Sequence, residues 1–145
     1  MVEVQAVPAL SSPTAPPKAC ITPARSVIVP HLNDLPRLAR LLEALAGMDR
    51  RGTEVVVVDN GSTADLTPLR AAYPFARFVV EPAPGAAAAR NRGVAESRGD
   101  TLLFLDADCV PAPDWLDRAA ALPAGRVVGG RIDLFDETPA PRGWR

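Results

Sequence analysis

Apolar and polar residues along this chain fall into alternating blocks, and the blocks predict short strands that alternate with helices. The predicted strands are residues 26–29, 54–58, 75–81 and 101–105, and a fifth begins at Val127 and Val128. Residues 102–105 are apolar at every position, which is typical of a strand covered on both faces. Pro30 is expected to stop the first strand, because proline cannot donate a hydrogen bond to a neighbouring strand.

Each of the four strands precedes a helical pattern. The first helix is predicted to start at a cap formed by Asn33 or Asp34, and it carries leucines at helical spacing up to Gly47. Shorter helices are predicted over residues 65–72 and 115–122.

A fourth helix is predicted over residues 86–98, opened by Gly85 and stopped by Gly99. Its predicted sheet-facing side contains one polar residue, Asn91, among small or apolar neighbours. Those neighbours are Ala87, Val94 and Ala95.

The alternation of strands and helices predicts an α/β fold, with an open, mostly parallel sheet that carries helices on both faces. In such sheets ligands bind outside the carboxyl ends of the strands, near the point where the strand order reverses. Polar clusters follow three of the predicted strands, at residues 30–34, 59–62 and 106–108. We therefore expect all three clusters to lie on one edge of the sheet.

The length of 145 residues suits one domain, which we place at residues 25–135. Residues 1–24 are rich in proline and alanine and predict a disordered leader, and residues 136–145 predict an irregular tail. The formal net charge of −1 offers no basic field for nucleic acid or anionic lipid, and no apolar run is long enough to span a membrane.

Cysteine usage points to a reducing compartment. Cys20 and Cys109 lie far apart and in no metal-binding spacing, so neither a disulfide framework nor a zinc site is expected. The predicted location is the cytosol or the cytoplasmic face of a membrane.

Asp106 and Asp108 are the first candidates for chemistry. Two carboxylates spaced by one residue at the end of a strand can converge on one cation, and oxygen ligands favour Mg²⁺ or Mn²⁺. The alternative is a solvated turn, in which aspartate is common.

Two further clusters suit an anionic, polar ligand. Asp59, Asn60 and Ser62 can bind the edge of a base or the hydroxyls of a sugar. Arg90 lies near the start of a helix, where free backbone N–H groups favour a phosphate. The only histidine, His31, is more often structural than catalytic in such a position.

The chain resembles the family 2 glycosyltransferases, which have the GT-A fold, a Rossmann-like nucleotide-diphospho-sugar transferase architecture. Four segments carry the resemblance: SVIVPHLND at residues 26–34, VVVDNGSTAD at 56–65, PGAAAARNRG at 84–93 and LLFLDADCVPAPDWL at 102–116. Their order and spacing also match. The resemblance implies transfer of a sugar from a nucleoside-diphosphate sugar to an acceptor, with metal dependence and inversion at the anomeric carbon.

The resemblance also implies roles for single residues. Pro30 and Asp59 would hold the nucleotide, with Asp59 on the base. Arg90 would be the arginine of the donor site, and Asn91 its supporting asparagine. Asp106 would contact the ribose and, with Asp108, the Mg²⁺ or Mn²⁺ ion.

No catalytic residue is assigned, because the general base of the family lies in a later acidic motif. The resemblance therefore implies a truncated, donor-binding half that needs a C-terminal segment or a partner chain. Two alternatives stay open: a non-catalytic nucleotide-binding fragment, and a HAD-like phosphohydrolase with Asp106 as nucleophile and Asp108 as acid/base. The second is disfavoured because its motif follows the first strand of that fold, and because the only lysine is Lys18.

Overall fold

The computed structural model describes residues 23–123 and 125–134. The predicted tail, and all of the predicted leader except Pro23 and Ala24, lie outside them. The elements are β1 (Arg25–His31), α1 (Leu35–Ala46), β2 (Thr53–Asp59), α2 (Thr67–Ala72), β3 (Ala76–Val80), α3 (Ala86–Glu96), β4 (Thr101–Phe104) and α4 (Trp115–Ala120). The predicted alternation of strands and helices is confirmed. None of the helices within the described ranges has the length and apolar character to cross a membrane.

The four strands form one parallel sheet in the order β3-β2-β1-β4. The chain therefore builds the sheet outward from β1 through β2 to β3, and then returns to place β4 on the other side of β1. The strand order reverses between β1 and β4, which is where a ligand is expected in an open parallel sheet.

Side chains of β1 and β2 alternate between two apolar cores, one on each face of the sheet. Val27, Val29, Val55 and Val57 pack with the buried leucines of α1 and with Leu116 of α4. On the opposite face Ile28, Val56 and Val58 pack with Ala89 of α3. The prediction of helices on both faces is confirmed.

Pro30 does not stop β1, as the sequence had suggested, since the strand continues to His31. The Ile28 carbonyl accepts a hydrogen bond from Leu105 N (3.1 Å), so the backbone N–H and C=O of Ile28 point toward β4. The backbone nitrogen of Pro30, two residues on, points to the same side. Pairing with β4 ends at Phe104, opposite Ile28. Pro30 therefore lies where no neighbouring strand requires its missing N–H.

The predicted fifth strand is absent from the described part of the chain. Residues 125–134 are irregular, and Val127, Ile132 and Leu134 are exposed. Two valines followed by Gly129 and Gly130 have too little strand propensity to pair without further contacts.

The prediction for the sheet-facing side of α3 was also wrong. Asn91 is exposed, as are Ala87, Val94 and Ala95, and the buried residues of the helix are Ala89 and Gly93. The helix approaches the sheet on its smallest residues: a Cβ atom on Gly93 would lie 2.3 Å from Ile28 Cγ2. The size of these residues, rather than their hydrophobicity, determines which side faces the sheet.

Gly99 is not the stop of α3, which ends at Glu96. A Cβ atom on Gly99 would lie 2.6 Å from the backbone carbon of Arg25, so glycine is required there by a close approach to β1.

We expect Gly93→Ala to lower the free energy of unfolding by roughly 1–3 kcal/mol, because crowding in a packed core outweighs the gain in helix propensity. Urea denaturation would measure this. Gly47→Ala is the matched control, since a Cβ atom there would meet only Ala44 O at 3.6 Å. Equal stability of the two variants would contradict the packing described for α3.

Candidate functional site

A cavity of about 330 Å³ opens at the carboxyl edge of the sheet, beside the junction of β1 and β4. Its walls come from the end of β1, the loop after β2, the start of α3 and the turn after β4. The lining residues are Pro30, His31, Leu32, Asn60, Gly85, Ala86, Ala89, Arg90, Asp106 and Asp108. Three polar clusters predicted to share one edge thus each contribute to a single cavity.

Asp106 and Asp108 lie in a turn that follows β4 directly. Leu105 N donates to Ile28 O (3.1 Å), which holds the chain against β1, and Cys109 N then donates to Asp106 O (3.0 Å) to close the turn. Both aspartate side chains are exposed at the cavity. Carboxylate oxygens thus lie beside a ligand-sized space rather than in a buried network.

Arg90 reaches across the cavity from α3 to the turn after β4. Its guanidinium Nη2 lies 2.5 Å from Asp106 Oδ1, with both side chains partly exposed. Helix α3 begins after Gly85, whose φ of 117° is in the region that favours glycine. One wall therefore combines a cation with the N-terminal end of a helix dipole, which favours an anionic group.

The side chains of the loop after β2 form hydrogen bonds within that loop and to the loop after β1. Asp59 is only 8% exposed, and its Oδ1 accepts a hydrogen bond from Ser62 N (3.0 Å). Ser62 Oγ accepts from Asn33 N (2.9 Å), and Asn33 Oδ1 accepts from Thr63 N (2.8 Å). These bonds join the loops after β1 and β2 into one unit.

Of the residues predicted for the site, the cavity brings together Pro30, Arg90, Asp106 and Asp108. Asp59 is buried and Asn91 is exposed, and neither lines the cavity. Sequence reasoning placed a phosphate at the start of α3, but it assigned no role to Leu32, Ala86 or Ala89, which also line the cavity. The signal for the two alanines was Gly85 directly before a run of small residues.

The two carboxylates fit a hard divalent cation whose remaining ligands come from a bound molecule and water. Within the described ranges, no three histidine, cysteine or acidic residues cluster as a metal site. Asp106 is bonded to Arg90, whereas Asp108 Oδ1 accepts a long hydrogen bond from Cys109 Sγ (3.8 Å). Mg²⁺ and Mn²⁺ accept one or two carboxylates and take their remaining ligands from substrate and water.

His31 is buried at the end of β1, where it is 2% exposed and pairs in register with Asp59. Neither ring nitrogen has a hydrogen-bond partner among the residues that the structure describes. Burial lowers the pKa of the imidazole below its ordinary 6.5, and the charges of Asp59 and Asp34 oppose this only in part. His31 is therefore neutral at pH 7.

Comparison with known proteins identifies a family. Residues 26–144 match the model of glycosyl transferase family 2. Glycosyltransferase AglE of Haloferax volcanii is 35% identical over 119 residues, which is 75% of this chain. The structure of S. aureus TarS 1-349 in complex with UDP superposes on 67% of this chain with a TM-score of 0.62 and 31% identity.

The mannosyltransferase PcManGT of Pyrobaculum calidifontis, in complex with GDP-Man and Mn2+, superposes on 70% of the chain with a TM-score of 0.58 and 31% identity. The chain spans 39% of AglE, 31% of the TarS 1-349 chain and 33% of the PcManGT chain. The predicted GT-A architecture is confirmed over this part of those proteins.

The buried imidazole of His31 predicts a pH dependence of stability. Below its ordinary pKa the unfolded chain takes up a proton that the folded site resists, so stability should fall as the pH drops from 6.5 toward the lower folded pKa. His31 is the only histidine, so His31→Leu should remove this slope between about pH 7 and about pH 5.5. Urea denaturation across that range measures it, and an unchanged slope in the variant would contradict the assignment.

Proposed function

This chain belongs to glycosyl transferase family 2, and we propose that it forms the donor-binding part of an enzyme that transfers a sugar from a nucleoside-diphosphate sugar to an acceptor. The observation that carries the proposal is the cavity at the β1–β4 junction, where Arg90 faces Asp106 and Asp108. A diphosphate needs both a fixed cation and a place for a metal ion beside it.

The diphosphate would lie between α3 and the turn after β4. Arg90 can donate two parallel hydrogen bonds to phosphate oxygens, and the first N–H groups of α3 point in the same direction. A phosphate that enters would compete with Asp106 for the guanidinium. The existing 2.5 Å contact thus holds Arg90 at the cavity before the donor arrives.

The proposed cation ligands are Asp108 and, secondarily, Asp106. Mg²⁺ or Mn²⁺ bound there would neutralise charge on the diphosphate as it leaves. The presence of Mn2+ in the PcManGT complex supports this assignment without choosing between the two metals.

The nucleoside would occupy the apolar side of the cavity near Pro30, with Asp106 in reach of the ribose. Asp59 on the base and Asn91 as the partner of Arg90 remain proposals, and both would require a change of side-chain position or a covering segment. Complexes of similar structures with UDP and with GDP-Man support a nucleoside-diphosphate donor but leave the base open.

The transfer step also needs a group that takes the proton from the acceptor hydroxyl. No residue of the described chain is assigned that role, so the inverting outcome and the acceptor rest on the family alone.

Family membership removes the reason to consider a HAD-like phosphohydrolase. A nucleotide-binding chain without activity of its own is the second candidate, favoured because the cavity offers groups for a nucleotide and a cation but none assigned to deprotonate an acceptor. A cytosolic location stays a prediction, supported by the cysteine pattern.

Calorimetric titration with UDP and GDP, with and without Mn²⁺, tests the donor site. We expect one nucleotide to bind, and Mn²⁺ to tighten binding by roughly tenfold or more. Asp108→Ala should remove most of the Mn²⁺ enhancement, because Asp108 is the principal proposed ligand and Asp106 alone leaves the cation with one carboxylate.

Asp100→Ala is the matched control, because Asp100 is an exposed carboxylate at the opposite end of β4. It should retain the enhancement. The proposed site would be ruled out if neither UDP nor GDP binds, or if Mn²⁺ tightens binding equally in Asp108→Ala and Asp100→Ala.

A further inference from the structure

The structure assigns a positioning role to Asn60: we propose that its side-chain amide holds the segment before α3 and thereby keeps Arg90 at the donor cavity. This inference rests on the proposed function, because the cavity that Asn60 organises is the proposed donor site. Asn60 lines the cavity, but its side-chain amide forms hydrogen bonds to the protein backbone and does not point at a ligand.

Asn60 makes three side-chain hydrogen bonds, all to the backbone between β3 and α3. Its Nδ2 donates to Glu81 O (2.9 Å) and to Ala83 O (2.6 Å). Its Oδ1 accepts from Gly85 N (2.7 Å). Asn60 N donates to His31 O (2.9 Å), so the residue that holds the segment is itself fixed to β1.

The segment is also anchored at its start, where Glu81 N donates to Asp59 O (2.9 Å), but the residues after Glu81 have few donors to offer. Pro82 and Pro84 have no N–H to donate, and Ala83 N already donates to Glu81 Oε1 (2.8 Å). Residues 82–85 are exposed, and one side chain that serves two carbonyls and one N–H holds them to the sheet where the prolines prevent strand pairing.

Gly85 transmits this restraint to Arg90. It is the residue before α3, and its carbonyl accepts the hydrogen bond from Ala89 N (3.1 Å) that closes the first turn. Arg90 follows Ala89 directly. The position of Gly85 therefore sets the direction of the first turn of α3, and with it the position of Arg90 relative to Asp106.

The bonding pattern requires an amide and excludes a carboxylate. The two carbonyls can only accept and Gly85 N can only donate, so Nδ2 must face the carbonyls. In Asn60→Asp, an ionised carboxylate would keep the bond from Gly85 but would place negative oxygen against two carbonyl oxygens. Both donor bonds would be lost and the segment should move away.

The test is nucleotide binding by Asn60→Asp in the full chain, with UDP and GDP as probes in the presence of Mn²⁺. At about pH 7.5 we expect binding roughly ten- to a hundredfold weaker than in the unchanged protein. Asn33→Asp is the matched control. The Asn33 side chain only accepts, from Thr63 N (2.8 Å) and Thr63 Oγ1 (3.2 Å), so a carboxylate can replace it.

Acidification provides a signature that loss of general stability would not give. The two facing carbonyl oxygens disfavour the ionised form and raise the pKa of the new carboxyl above its ordinary value of about 3.9. Acidification toward about pH 5.5 should then protonate part of it and restore one donor, so the ratio of unchanged to variant affinity should shrink. The unchanged protein, measured in the same buffers, corrects for the titratable and charged groups around the position. These are His31 on β1, Asp59 on β2, Glu81 before α3, Arg90 on α3 and Asp106 after β4.

The outcomes separate this inference from the proposed function. If the unchanged protein binds neither nucleotide, the proposed function fails and the inference fails with it. If it binds and Asn60→Asp binds within about twofold of it, only the positioning role is overturned. A variant that does not fold at about pH 7.5 would assign Asn60 to general stability and would also contradict the positioning role.

Discussion

Strand β1 pairs in parallel with both β2 and β4, and the rest of the structure depends on that pairing. The register places Ile28 opposite both Val56 and Phe104, so the strands on either side end at the same edge as β1. The Leu105 N to Ile28 O and Asn60 N to His31 O hydrogen bonds then fix the two outgoing loops to β1. A cavity forms where these loops separate, as expected at a reversal of strand order.

The opposite end of the sheet is fixed by a polar cluster that involves no part of the cavity. Glu54 Oε1 accepts hydrogen bonds from Ser26 Oγ (2.6 Å) and Arg98 N (2.5 Å), and Ser26 Oγ accepts from Gly99 N (2.9 Å). This cluster joins β1 and β2 to the connection between α3 and β4. With Gly93 against Ile28, it fixes the C-terminal half of α3, whereas the N-terminal end, which carries Arg90, is held through Gly85 and Asn60.

The order of strands and helices could be predicted because apolar runs such as residues 55–58, which are all buried, record burial locally. The expectation that residues 102–105 are covered on both faces was wrong, since only Leu103 is buried and Phe104 is 48% exposed. Strand β4 lies at the end of the described sheet and pairs only with β1 there, so its apolar run is not enclosed. The clustering of Pro30, Arg90, Asp106 and Asp108 followed from the parallel topology and from family resemblance. The side of α3 that faces the sheet could not be predicted, because Gly93 is selected by proximity to Ile28, a contact between distant parts of the chain. Asn60 was predicted to bind the edge of a base or the hydroxyls of a sugar, whereas its side chain bonds to the backbone before α3. Those three bonds depend on the path of a segment more than 20 residues away in sequence, which no local pattern records.

The central claim is that a nucleoside diphosphate and a divalent cation bind together at the carboxyl edge of the sheet. Paramagnetic broadening of backbone amide signals by substoichiometric Mn²⁺, in the presence of UDP or GDP, tests it most directly. The account predicts that signals of Ala86, Asp106 and Asp108 broaden while those of Gly52 and Gly99, at the other end of the sheet, remain sharp. Broadening at Gly52 and Gly99, or none at the turn after β4, would contradict it.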